Sequence, residues 1–174
     1  MYRDRAEPGD RTVQGKGKIK VFLVFLSLFL FAVACDDYPK DPEGTLDRVR
    51  GGTVYAGIVE NPPWAEVDGG TVSGIETQLV EQFAASLDAE VHWADISGPA
   101  AMRALEERKL DIVVGGFQQD DPWKSKVGFS RPYVPGKKHV MAVLKGENAW
   151  LVALETYLSR HESEARELLA ETQQ

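Results

Sequence analysis

Cysteine occurs once in the 174 residues, at position 35, which excludes an intrachain disulfide. The three histidines, His92, His139 and His161, stand far apart, and no Cys/His cluster has metal-ligand spacing. The sequence therefore gives no reason to expect a metal or another cofactor. Basic charge is scarce beyond the first segment. Six basic and three acidic side chains fall in residues 1–35, leaving fourteen basic and twenty-four acidic in 36–174, a net of −10. An acidic body without a Lys/Arg stripe argues against a nucleic-acid partner, because phosphate binding needs a basic patch. Internal repeats are missing, and no apolar run reaches the roughly 20 residues that a membrane-crossing helix needs. What remains is an ordinary globular composition, 43% hydrophobic and 27% charged, at a length that suits one domain.

The first 35 residues stand apart. Lys16, Lys18 and Lys20 precede an apolar run from Val21 to Ala34 that only Ser27 interrupts, and Cys35 follows. Basic residues, a short apolar run and small residues at its end form the pattern of a secretory signal. The ending AVAC resembles the lipobox of bacterial lipoproteins, in which the cysteine is acylated, although Ala32 stands where leucine is commonest. An ordinary signal peptide with a leftover thiol and an uncleaved anchor are the alternatives. Asp36-Asp37 resembles a signal for retention in the inner membrane. Residues 36–50 are polar, carry Pro39, Pro42 and Gly44, and read as a flexible tether.

From residue 51 to 171 the chain reads as one α/β unit. TVYAGIV (53–59) is a β-branched run bounded by glycines and by Asn61-Pro62-Pro63. Residues 73–88 place Ile75, Leu79, Val80, Phe83, Ala84 and Leu87 on one helical face, and Ser73 with Glu76 has capping-box spacing. EVHWADI (90–96) reads as a strand, 97–109 as a helix capped by Ser97, and DIVVGGF (111–117) as a buried strand. This alternation is the signature of a largely parallel sheet with helices on its faces. A helical turn is expected at Asp121-Pro122, a strand at HVMAVL (139–144) and a long helix from Asn148.

In such a sheet ligands lie beyond the carboxyl ends of the strands, near helix N-termini. Three loops qualify, ENPPW (60–64), SGP (97–99) and FQQDDPW (117–123), and from them come the candidate binding residues Glu60, Trp64, Ser97, Phe117, Asp120 and Trp123. Two indoles on one rim would stack on a ligand or clamp a cation. The competing reading is that each tryptophan packs on its own loop, with Asp121 capping a helical turn above Trp123.

Four stretches in order, YAGIVENPPW, SGIETQLVEQFAASL, ALEERKLDIVVGG and KVGFSRPY, resemble the periplasmic solute-binding proteins of polar amino-acid ABC transporters. The resemblance implies a type II periplasmic-binding-protein fold, in which two α/β lobes close on a solute. It also implies a first lobe interrupted after Phe129-Ser130-Arg131-Pro132-Tyr133, where the second lobe is inserted. Here that stretch runs through Pro135-Gly136 almost directly into HVMAVL, so a single lobe is expected, with a turn in place of the other. Relatives carry T-x-x-R ahead of this stretch, the arginine holding the ligand carboxylate. Counting back from Phe129 puts Asp120 and Trp123 at those two positions. An indole cannot replace the bidentate guanidinium, and acidic and aromatic groups together suit a cationic or zwitterionic solute.

The resemblance thus implies an extracytoplasmic, lipid-anchored solute-binding lobe of an ABC-type uptake system. Its partners would be a small polar or cationic solute, a transporter permease, and the membrane through Cys35. The alternative is an interaction module whose open rim, with Trp64, Phe117 and Trp123, contacts a protein partner. Enzyme activity is not expected, since an open site does not exclude water and no serine has a histidine near it in sequence.

Overall fold

A computed structural model describes residues 39–172. The signal-like segment and Cys35 lie outside the described residues. In chain order the elements are α1 (Thr45–Val49), β1 (Thr53–Ile58), β2 (Glu66–Asp68), β3 (Thr71–Ser73), α2 (Ile75–Ala85), β4 (Glu90–Asp95), α3 (Gly98–Glu106), β5 (Ile112–Gln118), a 3-10 turn (Pro122–Ser125), β6 (Gly128–Phe129), β7 (His139–Val143), α4 (Asn148–Arg160) and α5 (Glu162–Glu171). The main sheet has the order β4-β1-β5-β7-β6. β1 pairs in parallel with β4 and β5, while β7 runs antiparallel to β5 and β6. The expected α/β lobe is present, its sheet parallel in one half and antiparallel in the other.

Period-2 alternation divides the core into two layers. Val54, Ala56 and Ile58 of β1, Ile112 and Val114 of β5, and Met141 and Val143 of β7 face one way. They meet Leu79, Val80 and Phe83 of α2 and Trp150, Leu154 and Leu158 of α4. The residues between them, Val113 of β5 with Val140 and Ala142 of β7, face α3 through Met102 and Leu105. β5 and β7 are apolar on both faces because both of their faces are covered, which is why β5 reads as an unbroken apolar run.

β5 carries a bulge. Val113 pairs with Ala142 and Phe117 with Val140, so four residues of β5 pass while β7 advances by two. An even number of extra residues keeps Phe117 on the same face as Val113. Both belong to the α3 layer.

Between β6 and β7 the chain makes the turn at Pro135-Gly136. The Lys137 N–H donates to the Val134 carbonyl at 3.0 Å, and Gly136 has φ +76°. Proline at the second position and a left-handed glycine at the third make this a type II turn. Ser130 secures the hairpin behind it. Its N–H donates to the Met141 carbonyl at 2.9 Å, and its hydroxyl accepts from the Met141 N–H at 3.1 Å.

Three expectations are corrected. The segment 36–50 reads as a tether, but from Asp41 onward it is fixed to the lobe. Glu147 accepts from the N–H groups of Glu43 and Thr45, both at 3.1 Å. Asp41 accepts from Leu46 N–H at 2.9 Å and from Trp150 N–H at 3.0 Å. These carboxylates at helix N-termini act beside Val49, which is buried in the core, and hydropathy does not reveal them. Second, Ser73 closes β3 and does not cap α2; Gly74 occupies that position without a side-chain cap, and the Ile75 and Glu76 N–H groups donate to the carbonyls of Pro63 and Trp64. Third, the long C-terminal helix breaks at His161 into α4 and α5. The β2–β3 hairpin, turning at Gly69-Gly70, was not anticipated.

Candidate functional site

Because β1, β4 and β5 are parallel neighbours, their carboxyl ends open on one rim. Ser97 follows β4, Glu60 follows β1 and Asp120 follows β5, so the topology sets these three loops side by side in that order. All three residues are exposed. Ser97 occupies the N-cap position of α3 but makes no side-chain cap hydrogen bond. Asp120 has Lys138 Nζ at 3.8 Å, a loose surface pair.

The aromatic candidates lie deeper. Trp64 is only 8% exposed. Its ring stacks on His139, centroids 3.6 Å apart at 27°, and meets Tyr133 edge-on at 6.4 Å. Phe117 is 9% exposed and stacks on Phe129 at 6.5 Å. Trp123 is half-buried against the α3 layer, with Lys126 Nζ 5.7 Å from its ring centre. Asp121 caps the 3-10 turn by accepting from the Trp123 N–H at 3.1 Å. The rim therefore does not present Trp64, Phe117 and Trp123 as an open apolar surface. The exposed large hydrophobics among the described residues, Tyr55 and Val152, belong to β1 and α4.

Beneath the rim lies a constellation that sequence reasoning missed. Glu76, in the first turn of α2, is 0% exposed. Its Oε2 accepts from Gly115 N–H at 2.7 Å and from Gly116 N–H at 2.9 Å, while its Oε1 accepts from the Tyr133 hydroxyl at 2.5 Å. The two N–H groups belong to the β5 bulge and have no partner in the β7 ladder. Burial raises the Glu76 carboxyl from 4.5 to about 7, against the three donors, which favour its charged form. Tyr133 is held well above 10 by its own burial and then by the Glu76 charge. His139 is lowered by burial and by Lys137, and its Nδ1 is buried without a hydrogen-bond partner.

The bulge is shaped on its other side by the loop after β1. Asn61 Nδ2 donates to the Gly115 carbonyl at 2.8 Å. Gly116 has φ +66°, and a Cβ there would lie 2.6 Å from the Trp64 indole. The available signals were Gly-Gly inside an apolar strand and a carboxylate within an apolar helical stripe, since Glu76 shares its face with Val80 and Phe83. The capping-box spacing supplied a local explanation for Glu76 and hid this one.

The larger cavities lie away from the rim. One of about 200 Å³, lined in part by Glu43, Arg48, Arg108, Asp111 and Trp150, opens at the opposite end of the sheet. Its arginines are paired, Arg48 with Asp111 and Arg108 with Glu43. Among the described residues no group of three His, Cys, Asp or Glu side chains is placed to hold a metal ion.

Residues 54–174 match the bacterial extracellular solute-binding proteins, family 3. The chain belongs to this family. Among its relatives, a probable histidine-binding protein of Campylobacter jejuni is 25% identical over 121 residues, 68% of this chain and 47% of that protein. The L-cystine-binding protein TcyJ of Escherichia coli is 29% identical over 94 residues, 52% of this chain and 35% of that protein. The chain thus spans less than half the length of these family members. The arginine-bound form of domain 1 from TmArgBP superposes with a TM-score of 0.60 at 24% identity, covering 66% of this chain and 97% of that one. At that identity the likeness speaks for the fold, a single lobe of a type II periplasmic binding protein.

The close approach of Trp64 to Gly116 is testable. Gly136→Ala meets a positive φ in open space and is expected to cost about 1–2 kcal/mol in urea unfolding. Gly116→Ala adds contacts with the Trp64 indole and with Asn61 Nδ2, each at 2.6 Å, and is expected to cost a further ~1–3 kcal/mol. Equal losses for the two variants would mean that the loop after β1, through Trp64 and Asn61, does not press on the bulge.

Proposed function

We propose that the chain is an extracytoplasmic, lipid-anchored solute-binding lobe that serves an ABC-type uptake system for an amino acid or another small polar or cationic solute. The family match over residues 54–174 carries this reading. Support for the solute class comes from two sides. The relatives are named for histidine and cystine, and the TmArgBP structure is of one domain with arginine. The rim itself offers the exposed carboxylates Glu60 and Asp120, with Ser97 beside them and the partly exposed Trp123 beyond. Asp120 stands where the family resemblance puts a threonine and Trp123 where it puts the carboxylate-binding arginine. A cationic group therefore finds a better partner here than a carboxylate does.

One lobe supplies one wall of a cleft. If two walls together reach about 1 μM, or −8.2 kcal/mol, half of that free energy leaves about 1 mM. Trp64 lies under the rim rather than on it, so its contribution is to support the bulge from below. Ser97, Glu60, Asp120 and Trp123 are the residues in reach of solute, and Phe117 backs them through the α3 layer. The reading as a protein-contact module drew on an exposed aromatic rim, and with Trp64 and Phe117 buried it has no observation in its favour. Cys35 is the proposed site of acylation, a reading supported by the preceding apolar run and the AVAC ending.

A thermal-shift series with arginine, lysine, histidine, glutamate and choline tests the solute reading. At about 10 mM, a solute with a Kd near 1 mM stabilises by about 1.4 kcal/mol, a shift of a few degrees. Basic amino acids are expected to shift the midpoint more than glutamate, and Asp120→Asn to weaken them about two- to fivefold. A flat response to the whole series contradicts the reading. For the anchor, cell fractionation is expected to find the wild type in membranes and Cys35→Ser with its lipid absent by mass spectrometry; an unlipidated wild-type Cys35 contradicts it.

A further inference from the structure

The Glu76 carboxyl has more to do than fill a hydrogen-bond deficit. It joins three pieces of chain that share no ladder at this point: the start of α2, the Gly115–Gly116 bulge of β5, and Tyr133 in the segment that leaves β6. The two oxygens are not equivalent. Oε2 carries both backbone N–H groups, and Oε1 carries only the tyrosine hydroxyl.

That asymmetry decides where a proton goes. A hydrogen on Oε2 would point at two N–H donors and break at least one of their bonds. A hydrogen on Oε1 meets a hydroxyl, which is both donor and acceptor. The carboxyl then donates to Tyr133 Oη, and the tyrosine's own hydrogen, previously donated to Oε1, must turn to another acceptor or stay unpaired. Meanwhile the glycine N–H groups rest on an uncharged carbonyl oxygen, and a bond to a neutral acceptor is about half as strong as one to a charged one.

We propose that Glu76 is a proton-operated latch: a proton taken from solvent onto Oε1 reverses the hydrogen bond to Tyr133 and weakens the hold on the Gly115–Gly116 bulge, while loss of that proton tightens it. The groups around the carboxyl leave it little competition. β5 contributes only backbone N–H groups, the segment after β6 contributes Tyr133, and the loop after β1 contributes Trp64, whose carbonyl accepts the Glu76 N–H at 2.9 Å. No charged side chain contributes to the shift of the carboxyl. His139 of β7 stacks on the other side of this loop, on the Trp64 ring, and it is already pushed towards its neutral form.

The position of the transition follows from burial, which raises the carboxyl to about 7. A carboxyl raised on folding contributes stability that is complete below its unfolded value of 4.5 and is lost as pH rises through about 7. The latch therefore tightens its local hydrogen bonds over the same interval in which the fold as a whole loses some stability. The proposal does not depend on the identity of any solute, so a failed solute screen leaves it intact.

The test is a pH titration of the 15N-labelled protein by NMR between about pH 3.5 and pH 9. The amide signals of Gly115 and Gly116 are expected to move together with one midpoint near 7, matched by the 13C carboxyl signal of Glu76. Glu76→Gln, whose amide donates to Tyr133 while its oxygen accepts from the bulge, is expected to abolish the movement. His139→Asn is expected to leave it in place. Static glycine amides across the range overturn the proposal, as does a midpoint that survives Glu76→Gln or vanishes in His139→Asn. Should Glu76→Gln fail to fold, the wild-type carboxyl signal decides alone: a midpoint near its ordinary 4.5 overturns the latch.

Discussion

A fully buried carboxyl sits where α2 begins, and it holds two N–H groups that the sheet leaves without partners. An unpaired buried N–H costs about 1–3 kcal/mol, so a bulge at Gly115–Gly116 inside a covered sheet needs something to accept from it. Glu76 supplies that acceptor for both groups at once. The bulge in turn makes room for the Trp64 indole at Gly116, and the indole supports His139 at the start of β7. Through Tyr133 the same carboxylate also reaches the chain that turns back at Pro135-Gly136. The geometry of the rim thus follows from one buried side chain.

Burial explains the division of labour among the aromatic and acidic residues. Aromatic groups that look like a ligand platform in sequence are consumed in closing the end of the core, where Trp64 covers the bulge and Phe117 meets Phe129. The polar residues of the three loops are left outside, and they are short. The result is an open polar edge, with Glu60 and Asp120 exposed and Lys138 beside Asp120, over a buried aromatic floor. In a two-lobed relative a second wall would face this edge. Here nine residues, 130–138, join β6 to β7, and Ser130 and the type II turn hold them in a tight return. The lobe is complete as a packing unit because β7 and α4 supply the remaining wall of the first core layer.

Much of the fold was legible in the sequence because it rests on periodicity. The strands at 53–58 and 112–118, the helices at 75–85 and 98–106 and the return strand at 139–143 all follow apolar patterns bounded by Gly, Pro or a cap. The features that escaped rest on polar contacts over long sequence distances. Asp41 and Glu147 fix the segment before β1 through backbone N–H groups about a hundred residues away, and no periodicity marks them. In sequence Glu76 reads as part of a local cap, since spacing cannot tell a carboxylate that turns back on its own helix from one that reaches across to β5. Trp64 reads in sequence as a rim residue, yet its burial depends on Gly116, which lies on a different element. The shared lesson is physical: local pattern predicts which surfaces are buried, and tertiary partners decide what a buried polar group does.

Native-state hydrogen exchange at Gly115 and Gly116 tests most directly whether the carboxylate carries the bulge. If Glu76 holds both N–H groups inside a closed core, they exchange only with global unfolding, as slowly as the ladder amides of Ile112–Val114. Exchange faster by about a hundredfold or more would place the bulge among the locally opening segments, and would contradict the view that the rim is built on Glu76.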